Sequence, residues 1–354
     1  MKSLLLNKRK TTRLIFFLLT LLLLVSNATL SIANSTPSIF EVMSHTEVLD
    51  LTIETNWRAF DDNRRSKTDY PAKIHFKDQF GNSSNWLLKV RLRGNFRRMQ
   101  CADIPPLKLN FKKKALAAAG LAAFDDYKLV THCITDKAKA KELVLREFLA
   151  YKLYHNLTDH SFRVQLLNIT FKDTKTGETV QQMGFLIEDT AELRNRIGAE
   201  KVEETYGLPS VSFYEDQVRR VAIFQYAIGN FDWRLSTGRN LKFVRKEDKI
   251  LAIPYDFDFS VFVDAPYATL NTNIGLKTKA DRIYLGFEEA LPNLTPMLAS
   301  FKEQQPALLQ IIREAKWLKG KTRKALQKYL NSYFDNYQFI KWPVYQLAVD
   351  KIGD

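Results

Sequence analysis

Three short stretches alternate strictly between apolar and polar positions: Leu49, Leu51 and Ile53; Leu88, Val90 and Leu92; Leu107, Leu109 and Phe111. A period of two places every second side chain on one face, so each stretch is predicted as a strand with one buried face. Such strands must pair, and their apolar face must be covered, which limits the first half of the chain more than any other feature. Turn signals at Gly81-Asn82 and Pro105-Pro106 separate them. YKLVTHC (127–133) reads as a further strand, as do 163–171 and 183–188, joined by the polar turn Asp173-Thr174-Lys175-Thr176-Gly177. Between them, residues 137–155 are rich in Ala, Leu, Glu and Lys and contain neither Gly nor Pro, so they are predicted as a helix. The pattern implies an α+β unit: an antiparallel sheet with one helix.

After Asp189 the character changes. EDQVRRVAIFQYAI (215–228) is predicted as a helix closed by Gly229. A hairpin is predicted over 241–253, turning at Lys246-Glu247-Asp248-Lys249. From Pro292 the chain reads as helical, with breaks at Pro306, Gly320 and Pro343. The second half is thus mainly helical, and the boundary between the halves falls near 188–200.

The first residues carry Lys2, Lys8, Arg9, Lys10 and Arg13 ahead of an apolar stretch over 14–25, with Ser-Asn-Ala and Ser-Ile-Ala sites following. That pattern predicts a secretory signal peptide over 1–33, since a membrane span needs roughly twenty apolar residues. The alternative is an uncleaved anchor. No second stretch is long enough to span a membrane, so none is expected once the signal is removed. The expected location is outside the cytoplasm: secreted, periplasmic or in the cell envelope. Losing the five basic residues of the leader lowers the net charge from +14 to +9. A basic exported protein favours anionic partners such as nucleotides, acidic proteins or envelope polymers. Nucleic acid is not expected, because export and the lack of a basic-aromatic binding motif argue against it. Cys101 and Cys133 both follow the leader, and two cysteines in an oxidising compartment are expected to form one disulfide. Two buried thiols are the alternative.

Acidic groups gather around the predicted hairpin. GNFDW (229–233) precedes it with Asp232, Asn240 opens it, and PYDFD (254–258) closes it with Asp256 and Asp258. Two carboxylates two residues apart on an extended segment share a face and repel unless a cation lies between them. Mg2+ or Mn2+ with oxygen ligands satisfies that arrangement. Loop capping, with ion pairs to Arg234 or Arg239, is the competing reading. Phosphoryl transfer needs a lysine, a glutamate, a catalytic aspartate, an amide and a metal-binding aspartate, in that chain order. Lys108, Glu147, Asp232, Asn240 and Asp256 follow it. Lys108 points to the face opposite Leu107 and Leu109. Glu147 lies on a helical stripe with Leu143, Ala150 and Tyr154, and Lys108 is its expected partner; Glu142 is the competing glutamate, and pairing with Arg146 or Lys152 the competing role. Phosphate-loop, zinc-protease and serine-hydrolase motifs are absent, as is the Gly-rich loop of ordinary protein kinases.

In these blocks the chain resembles the CotH kinase family of atypical secreted and spore-coat kinases. The similarity rests on Lys89-Val90-Arg91-Leu92-Arg93-Gly94-Asn95, Pro106-Leu107-Lys108-Leu109-Asn110-Phe111, Gly184-Phe185-Leu186-Ile187-Glu188, GNFDW, Arg239-Asn240 and Ile253 with PYDFD, together about half the chain. The resemblance implies a two-lobe protein-kinase-like fold: an N-lobe over 34–190 with an antiparallel sheet and one helix, and a mainly helical C-lobe over 191–354. It implies ATP with Mg2+ or Mn2+, and transfer of the γ-phosphate to Ser or Thr hydroxyls of proteins or to another anionic envelope component. It makes Asp232 the catalytic aspartate, assigns the metal to Asp256, Asn240 and Asp258, and assigns nucleotide contacts to Lys108, Glu147, Glu188, Arg93 and Asn95. The Arg93-Gly94-Asn95 turn is expected to cover the phosphates. Asn240 departs from the pattern, lying eight residues after Asp232 where ordinary kinases have five. A non-catalytic surface protein on the same fold is the alternative.

Overall fold

A computed structural model describes residues 36–101, 104–132, 134–269, 272–286, 294–338 and 340–341, the side chains of 61–63, 95, 96, 100 and 273 excepted. The predicted signal segment, Cys133, Pro292 and Pro343 lie outside the described residues, as does the side chain of Asn95.

The alternating stretches form strands as expected. A short helix, α1 (Ile39–Met43), leads into β1 (Val48–Thr55), β2 (Tyr70–Lys77) and β3 (Ser83–Leu92). Next come α2 (Asn95–Gln100), β4 (Leu107–Phe111), α3 (Lys113–Ala118), β5 (Asp126–Thr131) and the long α4 (Lys137–Leu157). The strands β6 (Val164–Asp173) and β7 (Thr179–Ile187) follow. These seven strands close into a barrel in the order β1-β2-β3-β4-β5-β7-β6. Neighbours run antiparallel except at the seam, where β6 returns beside β1 in parallel, from Val48↔Leu166 to Thr55↔Asp173.

That seam overturns the expected architecture. The sheet is closed and mixed, not the open antiparallel sheet of a kinase-like N-lobe, and the chain does not adopt the two-lobe kinase-like fold. Alternation tells which face of a strand is buried but not which strand lies beside it. β1 and β6 pair across more than a hundred intervening residues, so no local pattern announces the closure. Closure leaves no unpaired sheet edge and lets Leu51, Ile53, Ile74, Val90, Leu109 and Leu129 fill one interior.

The second half is not a separate helical lobe either. It comprises α5 (Thr190–Ile197), a small sheet of β8 (Glu200–Lys201), β9 (Leu241–Lys246) and β10 (Lys249–Pro254), and helices α6 (Glu215–Ile228), α7 (Leu294–Glu303), α8 (Gln305–Glu314) and α9 (Gly320–Phe334). β5, β6 and β7 bury both faces, and their outer residues Val130, Leu166 and Phe185 join one continuous core with Leu149 of α4, Val221 of α6 and Leu326 of α9. The chain from Ser38 onward is one compact unit. Among the described residues no helix is long and apolar enough to cross a membrane.

Two glycines are demanded by position. Gly229 closes α6 at φ 64°, and an added Cβ would collide with the Tyr329 hydroxyl and crowd Val261. Gly184 lies where β7 passes between its neighbours: a Cβ there would come to 2.5 Å from Ile169 Cδ1 and 2.8 Å from the Val130 carbonyl oxygen. Backbone cannot yield as a flexible side chain can. Gly184→Val is expected to destabilise the fold by about 1–3 kcal/mol through overpacking, read as a lower denaturant midpoint. An unchanged midpoint would show that the strands part freely there.

Candidate active site

The helix α6 ends at Gly229, and the turn that follows is set by a buried asparagine. Asn230 donates through Nδ2 to Gln225 Oε1 at 2.9 Å, and its Oδ1 accepts from the Asp232 amide at 3.1 Å. This fixes Asp232 at the mouth of the hairpin. Asn240 then donates through Nδ2 to Asp232 Oδ2 at 2.9 Å and to the Asp232 carbonyl at 2.5 Å. Arg239 forms an ion pair with the other carboxylate oxygen, so part of the capping alternative is realised. The hairpin returns the chain to this point: the Tyr255 amide donates to the Asn240 carbonyl at 3.1 Å. Asn240 and Asp256 both adopt left-handed backbone, at φ 53° and 64°. The Asp256 amide donates to the Tyr151 hydroxyl of α4 at 2.8 Å, and Tyr151 packs edge-on against the fully buried Phe257.

α4 brings Glu147 to the same place. Its carboxylate forms a triad with those of Asp256 and Asp258, one oxygen from each lying within 4.8 Å of the others. Arg97 of α2 reaches in from the barrel end. Its guanidinium contacts Glu147 at 2.7 Å, Asp258 at 2.9 Å and Asp256 at 3.6 Å. Glu147, Asp258 and Arg97 are nearly inaccessible, whereas the Asp256 side chain is about one-third exposed, at 36%. Three carboxylates against one guanidinium leave an excess of negative charge. Burial, with repulsion among the three only partly offset by Arg97, raises both Glu147 and Asp258 above the ordinary carboxylate range. Burial also raises Asp232, and the nearby charge of Asp256 adds to it against the pull of Arg239.

The arrangement fits a divalent cation. Glu147 Oε2 accepts from Arg97, but its Oε1 is buried with no hydrogen-bond partner among the described residues. A buried carboxylate oxygen left without a donor costs free energy that a cation beside Asp256 would recover.

The expected residues divide into those the fold gathers and those it does not. Asp232, Asn240, Asp256, Asp258 and Glu147 converge. Lys108 does not partner Glu147: it points out of the barrel and pairs with Asp126 at 2.5 Å, while Arg97 takes the place expected for it. Glu142 pairs with Arg146 within α4. Glu188 is buried and held by Arg163 at 2.8 Å and Arg196 at 2.9 Å, which leaves it a structural clamp between β7 and α5. Cys101 is buried, and the pairing expected for it involves Cys133 outside the described residues.

Three further residues escaped the sequence reading: Arg97, Lys128 and Lys242. Lys128 stands opposite Lys108 in the β4–β5 register and beside Ile187 of β7. Its Nζ is shielded and has no hydrogen-bond partner among the described residues, lying 5.1 Å from the Phe162 ring and 5.0 Å from the Tyr255 ring. Lys242 Nζ lies over Tyr255 as well, at 5.3 Å. Burial, reinforced by Arg93 and Lys242 and only partly offset by Asp126 and Asp189, lowers Lys128 to about 7. A lysine next to Lys108 with the same outward alternation is the signal that was available. Arg97 has no comparable local signal, since its partners lie far along the chain. No protein-family model matches the chain, and no curated protein matches it significantly.

Arg97→Met leaves three buried or half-buried carboxylates without their cation, and breaking such a pair typically costs about 3–5 kcal/mol. The variant is expected to melt well below the parent, with Mn2+ restoring part of the loss; a parent-like melt would sink this account. For Lys128 the sign follows from proton binding. Between about 7 and the ordinary 10.5 the unfolded chain holds a proton that the folded chain lacks, so stability rises with pH across that window. Lys128→Met is therefore expected to raise the melting temperature most at pH 7 and below, with the gain shrinking toward pH 10. A gain that stays constant with pH would show that the buried amine keeps its proton.

Proposed function

We propose that the protein is an exported, metal-dependent phosphoryl-transfer enzyme. ATP is the donor, and Ser or Thr hydroxyls of proteins, or another anionic envelope component, are the acceptors. The observation that carries this reading is the meeting of Asp232 and Asn240 with the carboxylate triad of Glu147, Asp256 and Asp258, one oxygen of which is orphaned. Asp232 takes the proton of the attacking hydroxyl. Its raised pKa makes it a stronger base than an exposed carboxylate. Asn240 holds the Asp232 carboxylate in a fixed rotamer through its 2.9 Å hydrogen bond. Asp256, Asp258 and Glu147 would hold Mg2+ or Mn2+, which draws charge from phosphate oxygens when bound. The choice of ATP and of protein hydroxyls comes from the resemblance to the CotH kinases, and the export from the predicted signal peptide. The barrel fold gives neither.

A second reading has its own support. Arg97 already contacts all three triad carboxylates and Arg239 engages Asp232, so the cluster can stand without catalysis in a surface-binding protein. Incubation with radiolabelled ATP, Mn2+ and an acceptor protein separates the two. The parent is expected to label itself or the acceptor, and Asp232→Asn to lower the rate by about 10²–10⁴-fold. A thermal shift from Mn2+ alone, with no nucleotide effect and no labelling, would leave the non-catalytic reading in place.

A further inference from the structure

Beside the acidic triad lies a second cluster of the opposite sign. Lys128 on β5 and Lys242 on β9 both approach the ring of Tyr255, the residue immediately before Asp256, and Arg93, just past the end of β3, lies near enough for its charge to act on Tyr255 and on both lysines. Their charges act on one another: Arg93 and Lys242 both push the Lys128 ammonium toward its neutral form, and Arg93 does the same to Lys242. Among the described residues none of the three side chains makes an ion pair or a hydrogen bond. The carboxylates that act on Lys128, Asp126 and Asp189, are engaged elsewhere: Asp126 with Lys108, and Asp189 with the backbone amides of Asp125, Asp126 and Ala191. Like charges brought together without a counter-charge oppose folding unless an anion joins them.

We propose that Arg93, Lys128 and Lys242 form an oxyanion subsite, separate from the metal triad, that binds a phosphate group or chain without any metal. The Nζ atoms of Lys128 and Lys242 lie 5.0 Å and 5.3 Å from the centroid of the Tyr255 ring. The attraction of a cation for a ring face is weak, and charge-assisted hydrogen bonds to phosphate are stronger. An arriving oxyanion therefore takes the ammonium groups from the ring, and the half-buried Tyr255 is the side chain that yields. The subsite goes beyond the transfer reading, because an oxyanion binds here with neither metal nor turnover.

Titration calorimetry of the full chain with inorganic tripolyphosphate in EDTA tests it. The parent is expected to bind, and Arg93→Ala and Lys242→Met each to weaken binding at least tenfold. Lys128→Met is expected to do the same while melting no lower than the parent. Arg93 and Lys242 lie at half-buried positions, so these two variants remain informative if Lys128→Met alters the core. ATP arms identify the source of the anion: tripolyphosphate as tight as ATP makes the phosphate chain the recognised element. Binding of ATP alone overturns the subsite, since the nucleoside would then carry the affinity, and so does affinity unchanged by Arg93→Ala and Lys242→Met. Asp232→Asn separates this proposal from the transfer reading, because it should lose labelling yet keep tripolyphosphate binding.

Discussion

A single guanidinium holds the working end of this molecule together. Arg97 is carried by a short helix at the rim of the barrel, Glu147 by the long helix packed outside it, and Asp256 and Asp258 by the chain leaving the small hairpin. A buried arginine with no carboxylate is prohibitive, and two buried carboxylates beside a half-buried one are as unfavourable with no cation. Each element is therefore confined to positions that satisfy the others. Arg97 Nε adds a 3.0 Å bond to Asp258, which fixes the plane of the fork as well as its place. The remaining site geometry builds outward from that fork: Tyr151, one turn along α4 from Glu147, receives the Asp256 amide.

The barrel contributes differently. Because β5 and β7 bury both faces, the outer one becomes a floor on which α4 and the hairpin rest. Lys128 is trapped there by a strand that must place its neighbours Tyr127 and Leu129 inside. The result is two clusters of opposite charge on adjoining residues: two amines at the Tyr255 ring, and a carboxylate triad that includes the neighbouring Asp256.

Local structure was legible where period and punctuation decide it. The helix over 215–228 and its closing glycine, the hairpin and its turn, and the strands through Leu49, Val90 and Leu109 all stand where alternation and turn residues put them. Glu147 was found because an apolar stripe with one acid on it is a local fact. The fold was misjudged because the parallel seam between β1 and β6 is a pairing, and pairing leaves no trace in either strand alone. Lys108 was misjudged for a related reason: alternation aimed it outward correctly but could not say that Asp126 stood there. Arg97 was missed because its carboxylates come from 50 and 161 residues away.

The left-handed backbone at Asn240 and Asp256 bears on how this hairpin can be dissected. Asparagine and aspartate tolerate that conformation better than most residues, and glycine adopts it freely. Alanine does not, so an alanine scan here would record two losses as one: the missing side chain and a newly strained turn. Glycine deletes the side chain without the strain, and exchange between Asn and Asp alters charge while keeping the turn. An alanine variant that abolished function at either position would say little about chemistry until its glycine counterpart had been measured beside it.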